Sequence, residues 1–309
     1  MTISQFPAQY FPLPSSDRRL AYSDVGDANS EHVLLCLPGL LETRATFEPL
    51  LHAAKAVPGL RVISLDHCGR GDSDPLPHDS GYAMSVYVQD TAEFVRRVVM
   101  RDGAPVPRIE VLGTSMGGIL AMYLAQDPQL QIKGLFLNDI GLSLNWMAIY
   151  GLYGSMKQGG RMPSASVLAQ QLRVSVGAVE AVQSSTHFDL PYKKDWKGMH
   201  FAQLLEAFSG PVRWVYGGES AVCTQEQISE IKRVLPGSAL FLVAGAVHPA
   251  PYTDAVCQFV LNALKPAPAV HPKHAAFTQQ DLWAQTTSPG QDQGFWPWLK
   301  RRYLSAKAK

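Results

Sequence analysis

Apolar residues along this chain fall into short dense runs, separated by longer stretches in which they recur every three or four positions. The runs are His32–Leu37 (HVLLCL), Arg61–Leu65 (RVISL), Arg108–Leu112 (RIEVL), Ile132–Leu137 (IKGLFL), Val212–Tyr216 (VRWVY) and Ala239–Val243 (ALFLV). They are rich in Val, Ile and Leu and bounded by Gly, Pro or Asp, the pattern of parallel strands buried on both faces. Met84–Met100 carries apolar residues at Val86, Val88, Phe94, Val95, Val98 and Val99 and predicts a helix. Met116–Gln126 predicts a second helix directly after RIEVL, and Asp254–Leu264 a last one. Thr224–Val234 opens with Thr224 and has Gln227 three residues on, the signature of a capping box. Strands alternating with helices predict an α/β fold with a mostly parallel sheet and helices on both sides.

Two regions leave this rhythm. Residues 141–208 hold Trp146, Met147, Tyr150, Tyr153 and Met156 and two helix-like stretches, but no strand of the buried type. They predict a helical cap inserted over one end of the sheet. From Lys265 onward the chain is rich in Pro, Gln and Ala, then reaches Phe295, Trp296 and Trp298 beside Lys300, Arg301 and Arg302. The expected organisation is therefore a core from 1–140 and 209–264, a cap from 141–208 and a C-terminal extension from 265–309. The aromatic and basic extension is a candidate for docking on its own core, a partner or a membrane surface.

Composition narrows the function classes. The chain has 309 residues, 46% hydrophobic and 17% charged, enough apolar material for one large core. With 27 basic and 26 acidic residues the net charge is +1, so no nucleic-acid partner is expected. Cys36, Cys68, Cys223 and Cys257 lie far apart without a C-x-x-C pair, as expected of buried thiols in a reducing compartment rather than a disulfide or zinc site. The opening MTISQFPAQYF lacks the basic start and apolar run of a signal peptide, and no stretch approaches the roughly 20 apolar residues of a membrane span. A cytoplasmic location is the expectation. The oligomeric state is left open.

The candidate chemistry begins at Gly113-Thr114-Ser115-Met116-Gly117, which matches G-x-S-x-G. A serine on a tight strand-to-helix turn exposes its hydroxyl and aims the following helix N-terminus at a reacting carbonyl. The pentapeptide alone is common, but here a buried strand precedes it and a helix follows. A base is expected in the loop after the last strand, and His248 follows ALFLVAGA directly. Among the other eight histidines, His67 follows Asp66 at a strand end and is a candidate pocket residue. Two carboxylates compete for the third place: Asp139 at the end of IKGLFLN, and Glu219 in the GGES turn after VRWVY. The backbone amides of Met116 and of Leu40, after Pro38-Gly39, are the candidate oxyanion donors. Trp146 and Tyr150 are candidate substrate contacts in the cap.

These motifs carry a resemblance. Over residues 18–265 the chain resembles the α/β-hydrolase superfamily, through LCLPGLLETRATFEPL, SLDHCGRGDSD, LGTSMGG, LNDIG, VYGGES and AGAVH. Within it, the sequence looks most like small bacterial esterases of the YbfF type. The resemblance implies that the acid lies in the Asp139-Ile140 turn, which places Asp139 above Glu219, and that Asp66, Gly69, Arg70, Gly71 and Ser73 form a structural turn without a catalytic role. Two departures stand out: Pro38-Gly39 replaces the family's usual His-Gly, and Leu142 replaces the proline of the acid turn. The resemblance implies cleavage of a carboxylic ester or thioester through Ser115, His248 and Asp139, with no metal or organic cofactor. Two alternatives stand beside it. The same constellation serves C–C bond hydrolysis, perhydrolysis or cofactor-free oxygenation in some relatives, and a catalytically lapsed receptor would keep the fold without turnover.

Overall fold

The structure is a computed structural model and describes residues 5–77, 82–101, 103–144, 163–172, 175–183 and 199–264. Each of the six apolar runs forms a strand, some a residue or two longer than expected. Two further strands precede them, so the chain begins β1 (Gln9–Pro12), β2 (Arg19–Val25), β3 (His32–Leu37), α1 (Glu48–Ala54), β4 (Leu60–Leu65). It continues with α2 (Met84–Phe94), β5 (Arg108–Thr114), α3 (Met116–Leu124), β6 (Ile132–Asn138) and the short β7 (Ser143–Leu144). After α4 (Ala165–Leu172) and α5 (Val176–Gln183) come β8 (Met199–His200), α6 (Ala202–Glu206), β9 (Val212–Gly217), α7 (Gln225–Val234), β10 (Ala239–Val243) and α8 (Asp254–Leu264).

Eight strands make one sheet in the order β1-β2-β4-β3-β5-β6-β9-β10. From β4 to β10 every pairing is parallel, while β1 and β2 add an antiparallel edge. Alternation along the central strands divides the interior in two. Val33, Leu35 and Leu37 of β3 join a cluster with Ile119 and Leu120 of α3. Leu34 and Cys36 face the other way, into a cluster with Leu50, Leu51, Val256 and Val260 from α1 and α8. Each fully buried aliphatic side chain contributes about 1.5–3 kcal/mol, so the central strands are held from both faces.

Two local expectations are corrected. The helix predicted to Met100 is α-helical only to Phe94. Val95–Val99 form a π-helical turn, closed by Met100 N–H donating to Val95 O (2.9 Å). At α7 half of the capping box forms: the Thr224 hydroxyl accepts from Gln227 N–H (3.4 Å). The Gln227 side chain does not return to Thr224. It crosses to Ser143, where its amide donates to the hydroxyl (2.5 Å) and its oxygen accepts from the backbone N–H (3.2 Å). Tertiary contact with the segment after β6 outcompetes the local cap.

Within residues 141–208 the described segments include the antiparallel pair β7 and β8, with α6 after β8. Leu168, Ala169, Ala178 and Val179 of α4 and α5 are buried in the same cluster as Met116 and Leu142. Ser175, just before α5, donates its N–H to Gly69 O (2.6 Å), which fastens the start of α5 to the turn that follows β4.

Candidate active site

The C-terminal ends of β5, β6 and β10 bring three of the singled-out residues together, as expected at the carboxyl edge of an open α/β sheet. Ser115 stands between β5 and α3 with φ +50° and ψ −111°, a conformation non-glycine residues rarely adopt and one that costs about 1–3 kcal/mol. Its neighbours explain why the turn holds. Ser115 N–H donates to Asn138 O (2.8 Å), continuing the β5–β6 ladder past its end. A Cβ on Gly117 would fall 2.1 Å from Leu37 O and 2.7 Å from Pro38 O, so only glycine lets α3 begin against the end of β3. The Ser115 hydroxyl does not cap α3. Its oxygen lies 2.9 Å from His248 Nε2 instead.

His248 is buried, and its Nδ1 lies 3.2 Å from Asp139 Oδ2. Asp139 is wholly buried with φ +58°, and its N–H donates to Val215 O on β9 (2.8 Å). The next residue is pinned too: Trp214 Nε1–H donates to Ile140 O (2.9 Å). Leu142 follows that turn, and its O accepts from Phe201 N–H (2.8 Å). A proton on Nδ1, the nitrogen beside the carboxylate, would leave Nε2 a lone pair facing the serine hydroxyl. Glu219 is exposed. It meets the His248 loop through its backbone, whose N–H donates to Ala246 O (2.8 Å).

Two residues beside the serine and the aspartate fix that loop from beneath. Asn138 Nδ2–H donates to Ala250 O (2.9 Å), and Thr114 Oγ1 and Tyr252 Oη are 2.7 Å apart, all buried. Sequence reasoning missed all three. Their only signal was adjacency to Ser115, Asp139 and His248 in the chain.

The segment after β3 carries Leu40, which is buried, while Met116 opens α3. The contact of Gly117 with Leu37 and Pro38 sets this segment beside the helix N-terminus. Glu42, also unforeseen, lies in the same loop. Its Oε2 accepts from Gly39 N–H (2.8 Å) while its own N–H donates to Gly39 O (3.2 Å). Burial pushes its carboxyl up to about 7, against the opposing pull of the Gly39 N–H and of nearby His248. His67, a candidate pocket residue, is buried and donates its Nε2–H to Pro38 O (3.3 Å). Burial, aided by the Arg70 guanidinium, holds its imidazole down to about 3, so it stays neutral.

The other described histidines lie elsewhere. His32 Nε2 is 3.7 Å from Glu110, the buried carboxylate that also pairs with Arg108 and Arg213, and His52 packs on Phe6. His200 is in β8. His78, His187, His271 and His274, the candidate contacts Trp146 and Tyr150, and the 265–309 extension lie outside the described residues. All four cysteines are buried free thiols. Burial pushes them up, Cys68 and Cys257 to about 12, the reverse of what a nucleophilic thiolate requires. Among the described residues, no group of three or more His, Cys, Asp or Glu is arranged to hold a metal ion. No helix among them is long and apolar enough to cross a membrane.

Comparison with known proteins places this arrangement. A family profile described as "alpha/beta hydrolase fold" matches residues 32–159. A 3-hydroxybutyrate-oligomer hydrolase of Cupriavidus necator is 28% identical over 251 residues, 71% of this chain and 83% of that protein. The mouse sn-1-specific diacylglycerol lipase ABHD11 is 27% identical, over 81% of this chain and 86% of its own. Among solved structures, a putative lipase from Acinetobacter baumannii superposes with a TM-score of 0.64 at 19% identity, covering 84% of this chain and 91% of that one. An α/β hydrolase from Novosphingobium aromaticivorans gives 0.62 at 20%, covering 85% and 99%. The chain has the α/β-hydrolase fold.

Proposed function

We propose that this protein is a serine hydrolase that cleaves carboxylic esters by two-step acyl transfer, with Ser115 as nucleophile, His248 as general base and Asp139 as the acid that orients it. One observation carries the reading: a single buried imidazole with the Ser115 hydroxyl 2.9 Å from one nitrogen and the Asp139 carboxylate 3.2 Å from the other. In the first step His248 Nε2 takes the serine proton as Oγ attacks the carbonyl carbon. Asp139 holds the proton of Nδ1 in place and stabilises the imidazolium. The amides of Leu40 and Met116 receive the oxyanion, each such donor being worth roughly 10²–10³ in turnover. The imidazolium then protonates the leaving alcohol. Water then enters and gives a proton to His248 as its oxygen attacks the acyl carbon, and His248 returns that proton to Ser115 Oγ as the Oγ–C bond breaks and the acid leaves.

The activities named for the two relatives, hydrolysis of a hydroxybutyrate oligomer and of diacylglycerol, both concern oxygen esters. They favour an oxygen ester over a thioester here. The Asp139-Ile140 turn is what supports placing the chain near esterases of the YbfF type, and residues 141–208 are read as the cap that covers the acyl group. The test is a panel of aryl esters, acylglycerols and acyl-thioesters, assayed with wild type and Ser115→Ala. Ester release that disappears in the variant supports the reading. Turnover that persists in Ser115→Ala, or wild type inert on every ester, counts against it.

A further inference from the structure

The turn after β4 was expected to be structural only, yet its side chains point at the segment meant to hold the oxyanion. Arg70 is wholly buried. Its Nε–H and Nη2–H both donate to one acceptor, Leu40 O, at 3.1 and 2.9 Å. Nη1 donates to Cys68 O (3.0 Å) and to the Tyr87 hydroxyl (2.7 Å), and the guanidinium carbon lies 5.6 and 5.1 Å from the ring centres of Tyr82 and Tyr87. Among the described residues no carboxylate pairs with it. A buried arginine ordinarily needs an anionic partner, since removing its charge from water is costly. Here the described partners of the charge are carbonyl dipoles, a phenol and two aromatic faces.

The neighbouring contacts act on the same segment. His67 Nε2–H holds Pro38 O, and Glu42 closes Gly39 in a reciprocal turn. Further along, Arg44 is bound by Asp66, through its N–H at 2.7 Å and through its guanidinium. Pro38, Leu40 and Arg44 are thus each gripped by the 66–72 turn. At Leu40 two N–H groups of one planar guanidinium converge on a single carbonyl oxygen.

We propose that Arg70 is the positioning residue of the oxyanion site: its fork on Leu40 O holds the Leu40–Leu41 peptide and, through the Leu40 backbone, the direction in which the Leu40 N–H meets the reacting carbonyl oxygen, and its guanidinium charge favours the anion formed there. The proposal rests on the serine-hydrolase reading above. It also accounts for the Pro38-Gly39 departure. A proline brings neither an N–H nor an imidazole to the start of the loop, and side chains from the following turn restrain it instead.

The test uses Arg70→Lys, Arg70→Gln, Arg70→Met and Tyr87→Phe, the last leaving Arg70 in place but loosening one of its bonds. Turnover is expressed per serine titrated by a fluorophosphonate, so loss of folded protein does not count as loss of rate. Affinity is measured in parallel for a boronic acid that mimics the tetrahedral adduct. Expected are a kcat lowered about 10–100-fold in Arg70→Lys and further in Arg70→Met, KM within about threefold, and boronate affinity falling in step with kcat/KM, on the scale of one oxyanion donor. Arg70→Gln, which keeps a donor without the charge, falls with Arg70→Met if the charge dominates and with Arg70→Lys if the fork does. Tyr87→Phe lowers kcat about two- to fivefold and retains the fold if the Arg70 variants do not. A kcat per titrated site within twofold of wild type in the folded variants overturns the proposal. So does a loss confined to thermal stability. Wild type that is neither labelled nor active would instead overturn the serine-hydrolase reading, which separates the two failures.

Discussion

Replacing Asp139 by asparagine keeps the shape of the side chain and removes its charge. The carboxylate is wholly buried and sits 3.2 Å from His248 Nδ1. At an effective dielectric of about 20, a unit charge at that distance stabilises the imidazolium of the transition state by about 5 kcal/mol. That converts to between three and four orders of magnitude in rate. An amide adds a second effect, since its NH₂ can donate to Nδ1 and drive the ring proton onto Nε2, where it blocks the serine. Asp139→Asn is therefore expected to lower kcat by roughly 10³–10⁴ with KM nearly unchanged, measured per folded molecule with the most active ester of the panel. Glu219→Gln serves as the internal control. Its side chain is exposed and should leave kcat within about twofold. A fall of less than tenfold in Asp139→Asn, or a large loss in Glu219→Gln, would refute the assignment of the acid.

Two further outcomes follow from the same geometry. Because burial raises the Glu42 carboxyl to about 7 from an ordinary value near 4.5, the native state binds its proton more tightly than the unfolded chain does. Its contribution to stability is thus complete below about pH 4.5 and lost as pH rises through about 7. Glu42→Gln should match wild type in pH trend at pH 4 and exceed it in Tm by several degrees at pH 8; parallel Tm curves across that range would sink the argument. Asn138→Ala removes the bond to Ala250 O beneath the His248 loop. It leaves a buried carbonyl unpaired, costing about 1–3 kcal/mol of stability, and should lower kcat about tenfold by freeing the loop. Unchanged denaturant midpoint and kcat would show that the loop needs no such support.

How much of this was legible in the sequence depended on whether the signal was local. The strands β3, β4, β5, β6 and β9 were readable because nearly all their residues are buried, which makes their apolar runs dense, and the partly buried β10 was readable from the run ALFLV itself. β1 and β2 were not. β1 is largely exposed, and β2 carries Ser23 and Asp24, whose roles are set by Arg44 just before α1 and by Arg61 of β4. Ser115 and His248 were legible because a nucleophile turn and a loop after the last strand are written in consecutive residues. The choice between Asp139 and Glu219 came from resemblance alone, since both follow strand ends and only the fold shows which one faces the imidazole. Arg70 and Thr114 looked like turn and strand residues and His67 like a pocket residue, because the partners they hold at Leu40, Tyr252 and Pro38 lie 29 to 138 positions away in the chain. Gln227 shows the opposite error, a strong local signal overridden by a distant partner, Ser143.

The central claim is that Ser115 is a nucleophile activated by His248, and covalent capture tests it most directly. Wild type is treated with a fluorophosphonate, digested, and the adduct located by mass spectrometry, alongside His248→Ala and Ser115→Ala. The account predicts one adduct per chain on the peptide containing Ser115, formed at least 10³-fold more slowly in His248→Ala and absent in Ser115→Ala. An adduct on another residue, or equal labelling of Ser115 with and without His248, would contradict it.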